Sequence, residues 1–127
     1  MRGCEVIVSA GAPAAIGPYS QAIRAGGMIF VSGQIPLDPG TGEVIAGGIA
    51  EQAERVLASL RAVLDAAGSG LDRVVKTTVY LTDLGAFAEV NGIYARYFPQ
   101  APPARSTVQV AALPRGVGIE IDAVALA

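Results

Sequence analysis

"PPARSTVQVAALPRGVGIEIDAVALA", residues 102–127, carries the pattern on which the fold turns. Two segments, 104–113 and 118–126, alternate apolar and polar side chains as strands do, and Pro114-Arg115-Gly116 supplies a turn between them. The alternation sends Arg105, Thr107 and Gln109 to one face and Ser106, Val108 and Val110 to the other. In the last segment Ile119, Ile121 and Ala123 share a face, and Glu120 and Asp122 share the opposite one. If the two strands pair, a guanidinium, a hydroxyl and one or two carboxylates gather on one face, expected to be the face away from the helices. A cation at the mouth of a strand that otherwise reads as core needs a partner or a purpose. On spacing alone two readings stay open: a salt bridge from Arg105 to Glu120 or Asp122 at an oligomer interface, or a ligand site.

Upstream, the period changes twice. Ile49, Ala53, Val56, Leu57, Leu60, Val63, Leu64 and Ala67 recur at spacings of three and four, with Glu51, Gln52, Arg55 and Arg61 off the stripe. That is an amphipathic helix, stopped by Gly68. Residues 73–83, "RVVKTTVYLTD", are β-branched and read as a strand. Asp83 then caps a second helix that runs to Phe98 and ends at Pro99. Toward the N-terminus, 5–10 reads as a short strand and 11–21 as a Gly/Pro loop. Residues 21–36 read as two strands joined at Gly26-Gly27, and 37–44 as a turn-rich loop.

The result is one α+β domain over 1–127, with about six strands in a mixed sheet and two helices on one face. Met28, Phe30, Tyr80, Val124 and Leu126 fall where the helices do not reach. An apolar second face needs a cover, and self-association, sheet face against sheet face, is the simplest source.

Composition excludes several chemistries. The 127 residues contain no histidine and one cysteine, so a zinc site on the usual ligands and a Ser-His-Asp triad are both unavailable. Cys4 has no disulfide partner within the chain. Nine scattered cations and a net charge of −2 argue against a nucleic-acid surface. No apolar run approaches the ~18 residues of a membrane span, and "MRGCEVIV" is too short and too soon interrupted by Glu5 for a secretory signal. A cytoplasmic protein is expected.

A few polar residues look out of place. Asn91 sits on the apolar stripe of the second helix, with Phe87, Tyr94 and Phe98 at minus four, plus three and plus seven. A buried Asn is more often structural than functional. Tyr19, in a Gly-Pro loop, and Ser32-Gly33, at a strand end, each have an equally ordinary structural reading. Lys76, the one lysine, reads as a solvated edge residue.

"APAAIGPYSQA" (12–22), "VSGQIPLDPGTGEV" (31–44), "VVKTTVYLTDL" (74–84), "VNGIYARYF" (90–98) and above all "PPARSTVQVAALPRGVGIEI" (102–121) closely resemble the RidA/YjgF family of reactive-intermediate deaminases. The resemblance runs through nearly the whole chain in register. It implies a chorismate-mutase-like fold and a homotrimer whose sheets form a central barrel, with three clefts between subunits. It implies hydrolysis of small 2-imino acids, formed from enamines such as 2-aminoacrylate and 2-aminocrotonate, to 2-keto acids and ammonium, with no cofactor. Position by position, the family's cleft residues are Tyr19, Ser32, Asn91, Arg105 and Glu120, with a backbone contact from Gly33. Thr107 stands where some members carry cysteine, and is counted among the substrate contacts.

On that reading Arg105 holds the substrate carboxylate through two parallel charge-assisted hydrogen bonds. Glu120 activates a water for attack on the imine carbon, as general base. Tyr19 closes over the substrate side chain, while Ser32 and the Gly33 N–H assist the carboxylate or the nitrogen. The competing reading is a trimeric carboxylate-binding regulatory or chaperone-like protein without turnover. An RNA-cleaving activity, also known for this fold, ranks below both.

Overall fold

Gly26 and Gly27 take left-handed backbone angles, φ 57° and 76°. Two successive positive φ values close a tight hairpin with the right-handed twist of its strands. A computed structural model describes residues 3–127. In chain order its regular elements are β1 (Cys4–Ile7), β2 (Ala22–Ala25), β3 (Met28–Gln34), α1 (Ile49–Ala66), β4 (Val74–Leu81), α2 (Phe87–Tyr97), β5 (Ala104–Gln109) and β6 (Ile119–Leu126). The strands form one mixed sheet in the order β1-β2-β3-β6-β4-β5. Every neighbouring pair is antiparallel except β4 and β5, which run parallel around α2.

The expected stripe buries α1. Ala53, Val56, Leu57, Leu60, Val63 and Leu64 are sealed from solvent, and α1 lies against β3 and β6 while α2 packs on α1. The Glu51 carboxylate accepts from the Gly48 N–H at 2.9 Å, closing the N-terminus. Gly68 at φ 74° ends the helix, and the Ser69 N–H turns back to the Leu64 carbonyl at 2.9 Å. Asp83 does cap, but it caps a single 3₁₀ turn, Leu84–Ala86, by accepting from the Gly85 N–H at 2.8 Å; the α-helix proper starts at Phe87.

The order of the last strands differs from the expectation. β5 and β6 do not pair, because β4 lies between them, hydrogen-bonded to both. The Pro114-Arg115-Gly116 turn is therefore part of a connection that crosses β4, not the tip of a hairpin. The physical reason lies in the side chains: Thr77, Val79 and Leu81 of β4 are all buried, whereas no residue of β5 is. The strand with the stronger apolar face takes the interior of the sheet. Lys76 is corrected with it: it sits on an internal strand, half-buried, donating to Ser106 Oγ at 2.8 Å.

On the face away from the helices, Met28 is in register with Leu126 and Phe30 with Val124. Phe30, Val108 and Leu126 remain 47%, 41% and 42% exposed. The chain alone leaves this apolar face uncovered.

Candidate functional site

Arg105 projects from the helix side of β5, in register with buried Thr77 of β4. Its Cζ lies 4.8 Å from the centroid of the Tyr94 ring and 5.4 Å from that of Phe87. The Tyr94 hydroxyl is hydrogen-bonded to Thr77 Oγ1 at 2.8 Å. Burial pushes the Tyr94 phenol up, and the Thr77 bond and the Arg105 charge pull part of that back. Among the described residues no carboxylate reaches Arg105 within salt-bridge distance. The fork is thus held by aromatic faces while its N–H donors stay free. Half-buried Asn91 joins Arg105, Phe98, Pro102 and Pro103 around a cleft of about 530 Å³. Thr107, two residues along the same face, buries its Oγ1 with no partner, the only such side-chain atom among the described residues. A hydroxyl left in that state costs about 1–3 kcal/mol.

A second cleft, of about 600 Å³, opens elsewhere and is lined by Ile16, Tyr19, Ser32, Gly33, Arg115 and Glu120 among others. Its floor is a β-bulge. Val31 faces Ala123 and Gln34 faces Ile121, so Ser32 and Gly33 together oppose the single residue Asp122. The Ser32 hydroxyl donates to the Ser20 carbonyl at 2.6 Å. Its one proton is committed there, so toward the cleft it offers lone pairs only.

The loop that carries Tyr19 is fastened by buried Gln21. Gln21 Oε1 accepts from the Ser9 N–H at 2.7 Å, and its Nε2 donates to the Pro13 and Ser9 carbonyls at 2.8 and 3.1 Å. Tyr19 itself stays 54% exposed at the cleft mouth. Glu120 reaches in from β6. Burial, and after it the charge of Asp122, raises its carboxyl above the usual carboxylate range. Asp122 in turn accepts from the Tyr80 hydroxyl at 3.0 Å. Arg115, at a left-handed φ of 60°, donates to the Gly42 carbonyl at 2.9 Å and pairs with Glu43 at 3.5 Å.

The residues singled out from sequence therefore fall into two groups. Asn91, Arg105 and Thr107 share the first cleft or its strand face, and Tyr19, Ser32, Gly33 and Glu120 share the second. The expectation that Arg105 and Thr107 gather with Glu120 and Asp122 away from the helices is corrected. The pairing of β4 with both strands puts Arg105 on the helix side and Glu120 on the open side. An intrachain salt bridge from Arg105 to Glu120 or Asp122 does not form. Sequence reading missed Tyr94 and Phe87 as the faces that hold Arg105, although both had been placed on the stripe around Asn91. It missed Gln21 and Arg115 outright, since their contacts lie 8 to 12 and about 72 residues away.

No cluster of three or more His, Cys, Asp or Glu suited to a metal ion exists among the described residues. No helix among them is long and apolar enough to cross a membrane.

The family model described as Endoribonuclease L-PSP matches residues 9–127. Protein DfrA of Myxococcus xanthus is 59% identical over 124 residues, 96% of this chain and 95% of that protein. The human 2-iminobutanoate/2-iminopropanoate deaminase is 51% identical over 122 residues, 96% of this chain and 89% of that one. The crystal structure of E. coli TdcF with bound serine matches with a TM-score of 0.92 at 43% identity, covering 97% of this chain and 98% of that one. The chain belongs to the L-PSP endoribonuclease family, the group that holds the RutC and RidA/YjgF proteins.

Proposed function

We propose that this protein hydrolyses 2-imino acids to 2-keto acids and ammonium, and that it does so as a homotrimer with its sites between subunits. The observation that carries the reading is Arg105, a guanidinium fixed between aromatic faces with its donors unoccupied. Planar, bidentate recognition of a carboxylate is what such a fork does best. The relatives support the choice of substrate. A human relative carries the deaminase name. The serine bound to E. coli TdcF has a carboxylate and a nitrogen on adjacent carbons, as a 2-imino acid does.

One chain presents Arg105 and Glu120 on opposite sides of its sheet. A second copy, seated on the uncovered apolar face, brings one chain's Arg105 toward another's Glu120. Arg105 then holds the carboxylate, with Asn91 and the unpaired Thr107 hydroxyl alongside. Glu120 takes a proton from water, whose oxygen bonds to the imine carbon as the C=N π pair moves to nitrogen. In the carbinolamine so formed from the protonated imine, the nitrogen takes that proton back from Glu120; the C–N bond then breaks as the C=O forms, Glu120 accepts the hydroxyl proton, and the departing ammonia takes it up as ammonium. A raised Glu120 serves both steps, because it takes and returns the proton near neutral pH better than an ordinary glutamate. Where the substrate arrives as an enamine, protonation at C3 precedes these steps. Ser32, an acceptor toward the cleft, faces the nitrogen, and Tyr19 covers the side chain against Ile16.

The endoribonuclease description of the family finds no support in the charges. Arg105 and Arg115 are the cations of the two clefts, far short of the clustered cations that a phosphate backbone needs. The test is a coupled assay in which an amino-acid oxidase generates the imine and semicarbazide traps it. Wild-type protein is expected to suppress semicarbazone formation and Arg105→Ala to leave it unchanged. No suppression over a panel of imino acids overturns the deaminase reading in favour of a carboxylate-binding regulatory protein.

A further inference from the structure

A guanidinium can be steered by a hydrogen bond from its own donors or by a second carboxylate. Arg105 has neither among the described residues, as the salt bridges here all involve other arginines. What touches the guanidinium is the face of Tyr94 at 4.8 Å and, more loosely, that of Phe87 at 5.4 Å. The Tyr94 ring is not free to turn. It is 5% exposed, its hydroxyl is bonded at 2.8 Å to Thr77 Oγ1, and Phe98 packs on it at 4.6 Å between centroids, tilted by 35°. Thr77 is wholly buried and is the cross-strand neighbour of Arg105 in the β4–β5 ladder.

A rigid path therefore runs from the backbone of the residue opposite Arg105, through one hydroxyl pair, to the ring under the guanidinium. We propose that Tyr94, held by Thr77, is the positioning residue of the carboxylate clamp. It sets the plane of the Arg105 fork by its π face, and so orients the cation without occupying any of the donors that the ligand needs. The inference rests on the reading of Arg105 as a carboxylate clamp, and it specifies how that clamp keeps its aim.

A double-mutant cycle read by calorimetric titration of 2-oxobutanoate into the intact protein tests it. An arginine fork has a plane to orient, whereas the compact ammonium of Arg105→Lys has none. Tyr94→Leu is expected to weaken binding about tenfold in the Arg105 background and less than twofold in the Lys background. Tyr94→Phe keeps the ring, loses the tie to Thr77 and preserves the packing if the leucine variant fails to fold. It is expected to weaken binding about threefold with Arg105 and not at all with Lys. Equal losses in both backgrounds would mark Tyr94 as a packing residue only and overturn the proposal. So would unchanged affinity in the Tyr94→Phe protein, or no binding by the wild type. A wild type that binds 2-oxobutanoate with the expected coupling but hydrolyses no imine removes the deaminase reading and leaves this one standing.

Discussion

Gly33 lies directly beneath the Glu120 side chain: a Cβ on Gly33 would sit 2.7 Å from Glu120 Cδ and 3.0 Å from its Cγ. The glycine is there for space, since its φ lies outside the left-handed region. The atoms in the way belong to a flexible side chain, so the fold can absorb a methyl group by moving Glu120. Gly33→Ala is thus expected to keep its melting temperature within a few degrees while turnover falls by about 10²-fold, the usual penalty of an ångström-scale misplacement. Retained binding of 2-oxobutanoate alongside lost kcat confirms it; full activity removes the bulge from the machinery.

Glu120 should set the acidic limb of the pH–rate profile. Its carboxyl is raised by burial first and by Asp122 second, so kcat/KM is expected to fall on acidification at a higher pH than an ordinary glutamate would allow. Asp122→Asn removes the second cause, and the limb should move to lower pH. A limb that stays in place excludes Glu120 as the titrating base.

The same shift has a stability consequence of definite sign. A carboxyl raised in the folded state binds its proton more tightly there than when unfolded. Its favourable contribution is present below the unfolded value and is lost as pH rises through the folded one. Once Glu120 is ionised, the folded chain carries a half-buried charge beside Asp122. Glu120→Gln should hold or slightly raise the melting temperature, while kcat drops by about 10²–10⁴-fold. Thermal unfolding and turnover of one preparation check both halves.

If the site is shared between copies, defects on different copies should complement. Arg105→Ala and Glu120→Gln chains, each inactive alone, are expected to regain a fraction of wild-type turnover when unfolded together and refolded as a mixture. Phe30→Asp, on the uncovered face, should yield single chains by light scattering, inactive although Arg105 and Glu120 are both present. Recovery of nothing in the mixture, or full activity in a monomer, contradicts a shared site.

Gln21→Ala removes the fastening of the Tyr19 loop. With a buried amide's partners left unsatisfied, a loss of about 2–4 kcal/mol is expected, together with a raised KM. Denaturant unfolding measures the first and saturation kinetics the second.

What could be read along the chain was what depends on neighbours in sequence. The α1 stripe, the Gly26-Gly27 turn and the parity of Arg105, Thr107, Glu120 and Asp122 within their own strands are local, because 3.6- and 2-residue periods need no knowledge of partners. The full-length resemblance named the family from its motifs. Strand order was another matter. Parity says which residues share a face of one strand, but only the insertion of β4 between β5 and β6 decides whether two strands' faces coincide. That insertion put Arg105 against Tyr94 and Glu120 over Gly33, on opposite sides of one sheet. The ring faces around Arg105, the committed proton of Ser32 and the burial that raises Glu120 all arise from contacts between residues distant in sequence. Such contacts depend on how apolar area is shared among strands, a property of the whole packed chain.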